Sequence, residues 1–155
     1  MSDAKQRSFL VIRYGFTQKY DAIDEIEHVL ARRDMAWFGK YGQPIGRSFS
    51  RYMTKAESEV LVILVTRAAS KGGSGNNRAQ TFRLVELSAT PPKDSRSYPA
   101  YYRANLDRIG SWLQLKRYCG PDISLSDLAV RSSFRPVLEA MSVSQRGYFL
   151  CRLRS

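Results

Sequence analysis

The feature of the sequence that most constrains the fold is an uninterrupted aliphatic run, Val60-Leu61-Val62-Ile63-Leu64-Val65. The run is far too short to span a membrane, and most of its residues are β-branched, which favours a strand. A continuous apolar run of this length, bounded by polar residues, is typical of a buried strand. The sequence therefore predicts a buried strand from Val60 to Thr66.

Other segments show the two-residue or helical repeat of further elements. We predict strands over Ser8–Tyr14, Met35–Lys40, Thr81–Ala89, Trp112–Tyr118 and Gly147–Leu153. A helix is predicted over Asp21–Arg32, with short helical turns at Ser124–Leu128 and Pro136–Met141. The strand Thr81–Ala89 follows a Gly-, Ser- and Asn-rich loop, Ser70–Asn77, so it should pair with the preceding strand as a hairpin.

The length of 155 residues suits one domain, and we assign residues 1–155 to it. Predicted strands outnumber predicted helices, and the two central strands are close enough in sequence to be antiparallel neighbours. The expected fold class is α/β in the mixed (α+β) sense. The expected architecture is a small, mixed and partly closed β-barrel with flanking helices.

The charge is strongly basic, with 25 Lys and Arg against 14 Asp and Glu and a formal net charge of +11. Such an excess is typical of proteins that neutralise phosphates and release counterions. DNA or RNA is therefore the expected partner. An acidic protein is the alternative partner, and no membrane attachment is expected because no long apolar segment or basic amphipathic helix is present.

Metal and thiol chemistry have few candidates. Cys119 and Cys151 are 32 positions apart, and His28 is the one histidine, so no structural zinc pattern is present. Two isolated cysteines are typical of free thiols in a reducing compartment. We expect no metal, no cofactor and a cytoplasmic location.

Catalytic motifs are missing as well. The segment GGSGNN lacks the Gly-Lys-Ser/Thr ending of a phosphate-binding loop, and no GxSxG sequence is present. A metal-dependent nuclease needs carboxylates close to a lysine, and Glu86 has no obvious partner in its strand. We expect no enzymatic activity. A nuclease or toxin, with Glu86 in its site, is kept as an alternative.

Aromatic and basic residues occur together at two places. Trp37 and Phe38 precede a Gly-Lys-Tyr-Gly turn, and Tyr98, Tyr101, Tyr102 and Arg103 precede Trp112. Aromatic faces stack on unpaired bases, and a walled pocket can hold a base extruded from a duplex. A single Trp or Tyr is more often part of a core, and this holds especially for Trp112. The predicted base pocket comprises Trp37, Phe38, Tyr101, Tyr102 and Trp112, and the predicted phosphate-binding residues are Lys40, Arg47, Arg51 and Arg103.

The order of these segments resembles the PUA-like superfamily, in particular its EVE and YTH domains. The resemblance is carried by SFLVIRYG, YDAIDEIEHVL and MAWFGKYGQP at the start, by EVLVILVTR and TFRLVELSA in the middle, and by RIGSWLQLKRY, PDISLSDLAV and PVLEAMSVSQRGYFLCRL at the end. It implies a PUA-like barrel in which Trp37 lines a pocket for one extruded base. It also implies a reader role, for example in a prokaryotic defence or restriction system.

The sequence thus leads to one main expectation. The chain is expected to be a nucleic-acid-binding reader module that inspects a single base, modified or unmodified. The alternatives are a basic regulatory protein that docks an acidic partner and an enzyme that cleaves nucleic acid.

Overall fold

The computed structural model describes residues 7–14, 21–46, 49, 59–66, 79–144 and 146–154. Its strands are β1 (Ser8–Tyr14), β2 (Ala36–Tyr41), β3 (Val60–Thr66), β4 (Ala79–Ser88), β5 (Ile109–Arg117), β6 (Leu128–Val130) and β7 (Tyr148–Leu153). Its helices are α1 (Ala22–Leu30) and α2 (Val137–Val143), and two 3₁₀ segments span Ala100–Arg108 and Leu125–Asp127. The predicted loop Ser70–Asn77 lies outside the described residues.

The described strands form one mixed sheet in the order β2-β5-β4-β3-β1-β7-β6. β1 and β3 are parallel neighbours, and the other pairs are antiparallel. The predicted strand from Val60 to Thr66 is confirmed, and so is its hairpin with β4, in which Val62 lies opposite Phe82.

The sheet divides two cores, because successive side chains in a strand point to opposite faces. One core lies under α1 and includes Leu10, Val62 and Leu113. The other lies under α2 and includes Phe9, Ile63 and Phe149. We call the two sides of the sheet the α1 face and the α2 face. Both faces of the sheet are covered at β1 and β3, so the aliphatic residues of these strands are buried. Each large aliphatic side chain buried there stabilises the fold by about 1.5–3 kcal/mol.

α1 begins where the Asp21 side chain accepts a hydrogen bond from the Ile23 amide at 3.0 Å. This capping interaction satisfies one of the amides that a helix leaves unpaired at its start. Ile23, Ile26 and Val29 recur at helical spacing and are buried against the α1 face. The helix predicted over Asp21–Arg32 is confirmed, with slightly shorter bounds.

The architecture differs from the sequence-based expectation in two respects. The mixed α+β class is confirmed, but the described sheet is open, with β2 and β6 at its two edges, so the partly closed barrel is not confirmed. The predicted Gly-Lys-Tyr-Gly turn begins later than expected, because Gly39, Lys40 and Tyr41 lie inside β2. The chain turns at Gly42, whose φ of +84° is in the region that favours glycine.

Candidate nucleic-acid interface

Four of the five aromatic residues predicted to line a base pocket lie in one cluster on the α2 face. The 3₁₀ segment Ala100–Arg108 covers β2 and β5 there and brings Tyr102 against Trp112, with ring centroids 5.6 Å apart in an edge-to-face arrangement. Tyr98 and Ile109 complete the buried centre, and Trp37 and Tyr101 pack against it with part of their surface exposed. Phe38 does not join them, because it lies in the core on the α1 face.

Burial determines what this cluster can contact. Tyr102 and Trp112 have 0% exposure and Phe38 has 2%, so none of these three rings offers a free face to a base. Burial also raises the pKa of the Tyr101 hydroxyl to about 12 and raises that of Tyr102 well above its ordinary value. The cluster therefore has the surroundings of a core, and Trp37 and Tyr101 are its only predicted pocket residues with exposed surface.

Of the four predicted phosphate-binding residues, the structure describes two, Lys40 and Arg103. Lys40 is buried on the α1 face, where its Nζ donates to the Gln43 carbonyl at 2.7 Å and lies 5.3 Å from the Tyr148 ring centre. Arg103 is exposed on the 3₁₀ segment and donates to the Ser95 carbonyl at 3.2 Å. Arg47 and Arg51 lie outside the described residues. The structure thus places Lys40 on the opposite side of the sheet from the aromatic cluster.

A polar surface lies on the α2 face, between the core under α2 and the aromatic cluster. Phe82, Leu84, Leu113 and Leu115 point to the α1 face, so the alternate residues of β4 and β5 point to the α2 face. Trp112 among them is buried, and Val85, at the bulge beside Glu86, is an exposed apolar residue. The polar ones include Thr81, Arg83 and Glu86 on β4, and Gln114 and Lys116 on β5. We call these five residues the central strip.

Two cations face each other in the central strip. Arg83 on β4 lies directly opposite Lys116 on β5, where like charges destabilise a sheet. Glu59 approaches Arg83 at 3.4 Å, but the same carboxylate also binds Arg7 at 3.1 Å. Within the described residues no carboxylate forms an ion pair with Lys116, which is exposed. The strip is therefore suited to an anion that bridges both cations.

At one end of the central strip the surface deepens into a cleft of about 450 Å³. Its described lining consists of Ala79, Gln80, Thr81, Tyr118, Gly120, Asp122 and Ile123. The Tyr118 hydroxyl donates to the Pro121 carbonyl at 3.0 Å, which holds the ring in place. The volume is within the range of small-molecule and cofactor sites.

Glu86, the residue named for the alternative enzymatic site, lies on β4. Glu86 lies opposite Gln114, and no group of three or more His, Cys, Asp and Glu side chains is placed to hold a metal within the described ranges. His28 is exposed on α1, and its Nδ1 lies 3.8 Å from a Glu25 carboxylate oxygen. No helix in the described part of the chain has the length and apolar character needed to cross a membrane.

In comparisons with known proteins, no family model, no curated protein and no solved structure matches this chain. Function must therefore be argued from the geometry of the chain itself.

Sequence reasoning did not select Arg83, Lys116 or Tyr118 as site residues. The signal was present, because the polar positions of TFRLVELSA and WLQLKRY alternate with apolar ones and include a cation in each strand. What the sequence did not reveal is that these two strands are neighbours with one face partly uncovered, so that their cations meet.

Proposed function

We propose that the protein is a nucleic-acid-binding module that contacts phosphates through the central strip. The observation that carries the proposal is the juxtaposition of Arg83 and Lys116 on adjacent strands, on a surface that faces solvent. A phosphate diester supplies the negative charge that relieves the repulsion between them, and arginine and lysine are its usual ligands. The net charge of +11 supports the same partner through long-range attraction.

The proposal also includes the more specific expectations from the sequence, which concern the fold family, the base pocket, catalysis and location. A PUA-like fold and a reader role stay part of the proposal, and they rest on the resemblance in the order of the elements. Inspection of a base by the aromatic cluster stays a prediction for Trp37 and Tyr101, since these two rings keep exposed surface. Binding without catalysis is also part of the proposal. A cytoplasmic location is supported by the two free cysteines, Cys119 and Cys151.

The test compares two variants that each remove one positive charge. Lys116→Ala removes a cation from the central strip, and Arg32→Ala removes an exposed cation at the end of α1, on the other side of the sheet. Binding of labelled DNA and RNA strands is measured by fluorescence anisotropy at several salt concentrations. Lys116→Ala should weaken binding roughly fivefold, by about 1 kcal/mol. It should also lower the slope of log affinity against log salt by about 1.

Arg32→Ala should leave both the affinity and the slope of log affinity against log salt nearly unchanged. Equal effects of the two variants would show that binding is nonspecific attraction to total charge and would contradict the strip as the site. No binding of any strand at low salt would favour the acidic-partner alternative instead.

A further inference from the structure

The cleft at the end of the central strip differs chemically from the strip itself. Its described lining has no lysine or arginine and includes Asp122, which carries a carboxylate. A phosphate is repelled by that carboxylate, whereas the amino groups of a nucleobase can donate hydrogen bonds to it. The cleft is thus unsuited to the phosphates that Arg83 and Lys116 attract, and its polar lining suits a base.

Tyr118 forms one wall of the cleft, and its ring is held from two sides. The hydroxyl donates to the Pro121 carbonyl, and the ring lies so close to Gly120 that a Cβ on that residue would be 2.2 Å from the hydroxyl oxygen. Glycine at position 120 therefore allows the ring to occupy this position. A fixed aromatic face loses little conformational entropy when a base stacks on it.

The spacing along the strands connects the cleft to the cations. Thr81 lines the cleft and Arg83 is two residues further along β4, on the same face, at a distance of about 7 Å. Lys116 precedes Tyr118 by two residues on the neighbouring chain segment. A strand whose phosphates contact the two cations therefore has its next base beside the cleft.

We infer that the cleft receives one unpaired nucleobase, which stacks on Tyr118 and donates a hydrogen bond to Asp122, while the backbone of the same strand contacts Arg83 and Lys116. This inference rests on the proposed function and adds to it the position and chemistry of the base-binding site. The rival base site is the aromatic cluster, whose Trp37 lies opposite Gln114 near the middle of β5.

The experiment uses two single strands of about 12 nucleotides, one with a mixed base sequence and one with abasic sites throughout. The two carry the same number of phosphates, so the ratio of their dissociation constants measures the contribution of bases alone. For the parent protein the intact strand should bind about 5- to 150-fold more tightly. Tyr118→Ala should bring the ratio close to one, and Tyr118→Phe should preserve it because the aromatic face remains.

Two further variants keep the inference testable if Tyr118→Ala unfolds, which a melting curve reveals. Gly120→Ala retains the tyrosine but displaces its ring, and it should reduce the ratio while the abasic strand binds as before. Arg32→Ala, at the end of α1, should leave the ratio unchanged, and Trp37→Ala tests the aromatic cluster as the rival base site. A ratio abolished by Trp37→Ala and preserved in folded Tyr118→Ala or Gly120→Ala would overturn the cleft as the base site.

The failure of this inference is distinguishable from failure of the proposed function. If both strands bind equally well to the parent with a strong salt dependence, the phosphate contacts stand and the base site is refuted. If neither strand binds at low salt, the proposed function fails, and the inference fails with it.

Discussion

Trp37 and Trp112 point to the same face of the sheet from neighbouring strands, but their surroundings differ. Trp112 has 0% exposure and packs against Tyr98 and Tyr102 at ring-centre distances of 5.2 and 5.6 Å. Its indole nitrogen has no hydrogen-bond partner within the part of the chain described. Trp37 lies at the edge of the same cluster, in the edge strand β2, and keeps part of its ring exposed.

This difference predicts unequal effects on stability. Trp112→Ala should lower the free energy of unfolding by about 3–5 kcal/mol, because it removes a fully buried ring and leaves a cavity. Trp37→Ala should cost clearly less, since a smaller part of its surface is buried. Urea denaturation followed by circular dichroism provides both values. Equal losses in the two variants would show that Trp37 is as much a core residue as Trp112.

At the scale of elements, the pairing of β4 with β5 places Arg83 against Lys116, an arrangement that packing alone does not favour. Lys116→Glu replaces the repulsion by a cross-strand ion pair with Arg83. It should raise the free energy of unfolding by about 0.2–1 kcal/mol and at the same time strongly weaken nucleic-acid binding. Opposite changes in stability and affinity are expected when a charge is retained for binding rather than for folding.

The measurements are urea denaturation and anisotropy with the same strands, and Arg32→Glu on α1 is the matched control. That control makes the same change in net charge without altering the central strip. A Lys116→Glu variant that is less stable and binds normally would assign Lys116 a structural role.

The elements themselves were largely predictable from local patterns. The aliphatic run of β3, the alternation in β4 and β5 and the helical spacing in α1 are each contained within about ten residues, and all four elements were predicted. The parallel pairing of β1 with β3 joins distant segments, and β6 has only the residues Leu128–Val130, so neither produces a local signal. Which face of β4 and β5 stays uncovered is likewise set by distant elements, and for that reason the central strip was missed.

The influence of distant elements also explains why most of the predicted pocket residues form a packed cluster. Trp37, Tyr101, Tyr102 and Trp112 were correctly grouped by their aromatic character, yet a sequence does not show how deeply each ring is buried. The 3₁₀ segment Ala100–Arg108 has no amphipathic repeat and was not predicted. It is this segment that covers Trp112 and turns the group into a packed cluster.

At the scale of the whole molecule, acidic groups whose pKa is raised by burial link folding to alkaline pH. Burial raises the pKa of Tyr101 from 10.0 to about 12, that of Cys151 from 9.0 to about 12, and that of Tyr102 well above 10.0. In each case the folded protein holds its proton to a higher pH than the unfolded chain does. Above the unfolded pKa the unfolded state therefore binds fewer protons, and the free energy of unfolding falls as pH rises.

Below about pH 9 these groups should not change the free energy of unfolding. Between about pH 9 and pH 12 the free energy of unfolding should fall progressively. Urea denaturation at a series of pH values measures it. Tyr101→Phe removes one of the titrating groups while keeping the ring, so the decline above pH 10 should become shallower in this variant than in the parent. Because Tyr101 lies in the 3₁₀ segment and packs against the aromatic cluster, the comparison reports on whether that cluster stays closed in solution. Identical pH profiles for the two proteins would mean that the Tyr101 hydroxyl is exposed to water, and the cluster would then be open enough to admit a ligand.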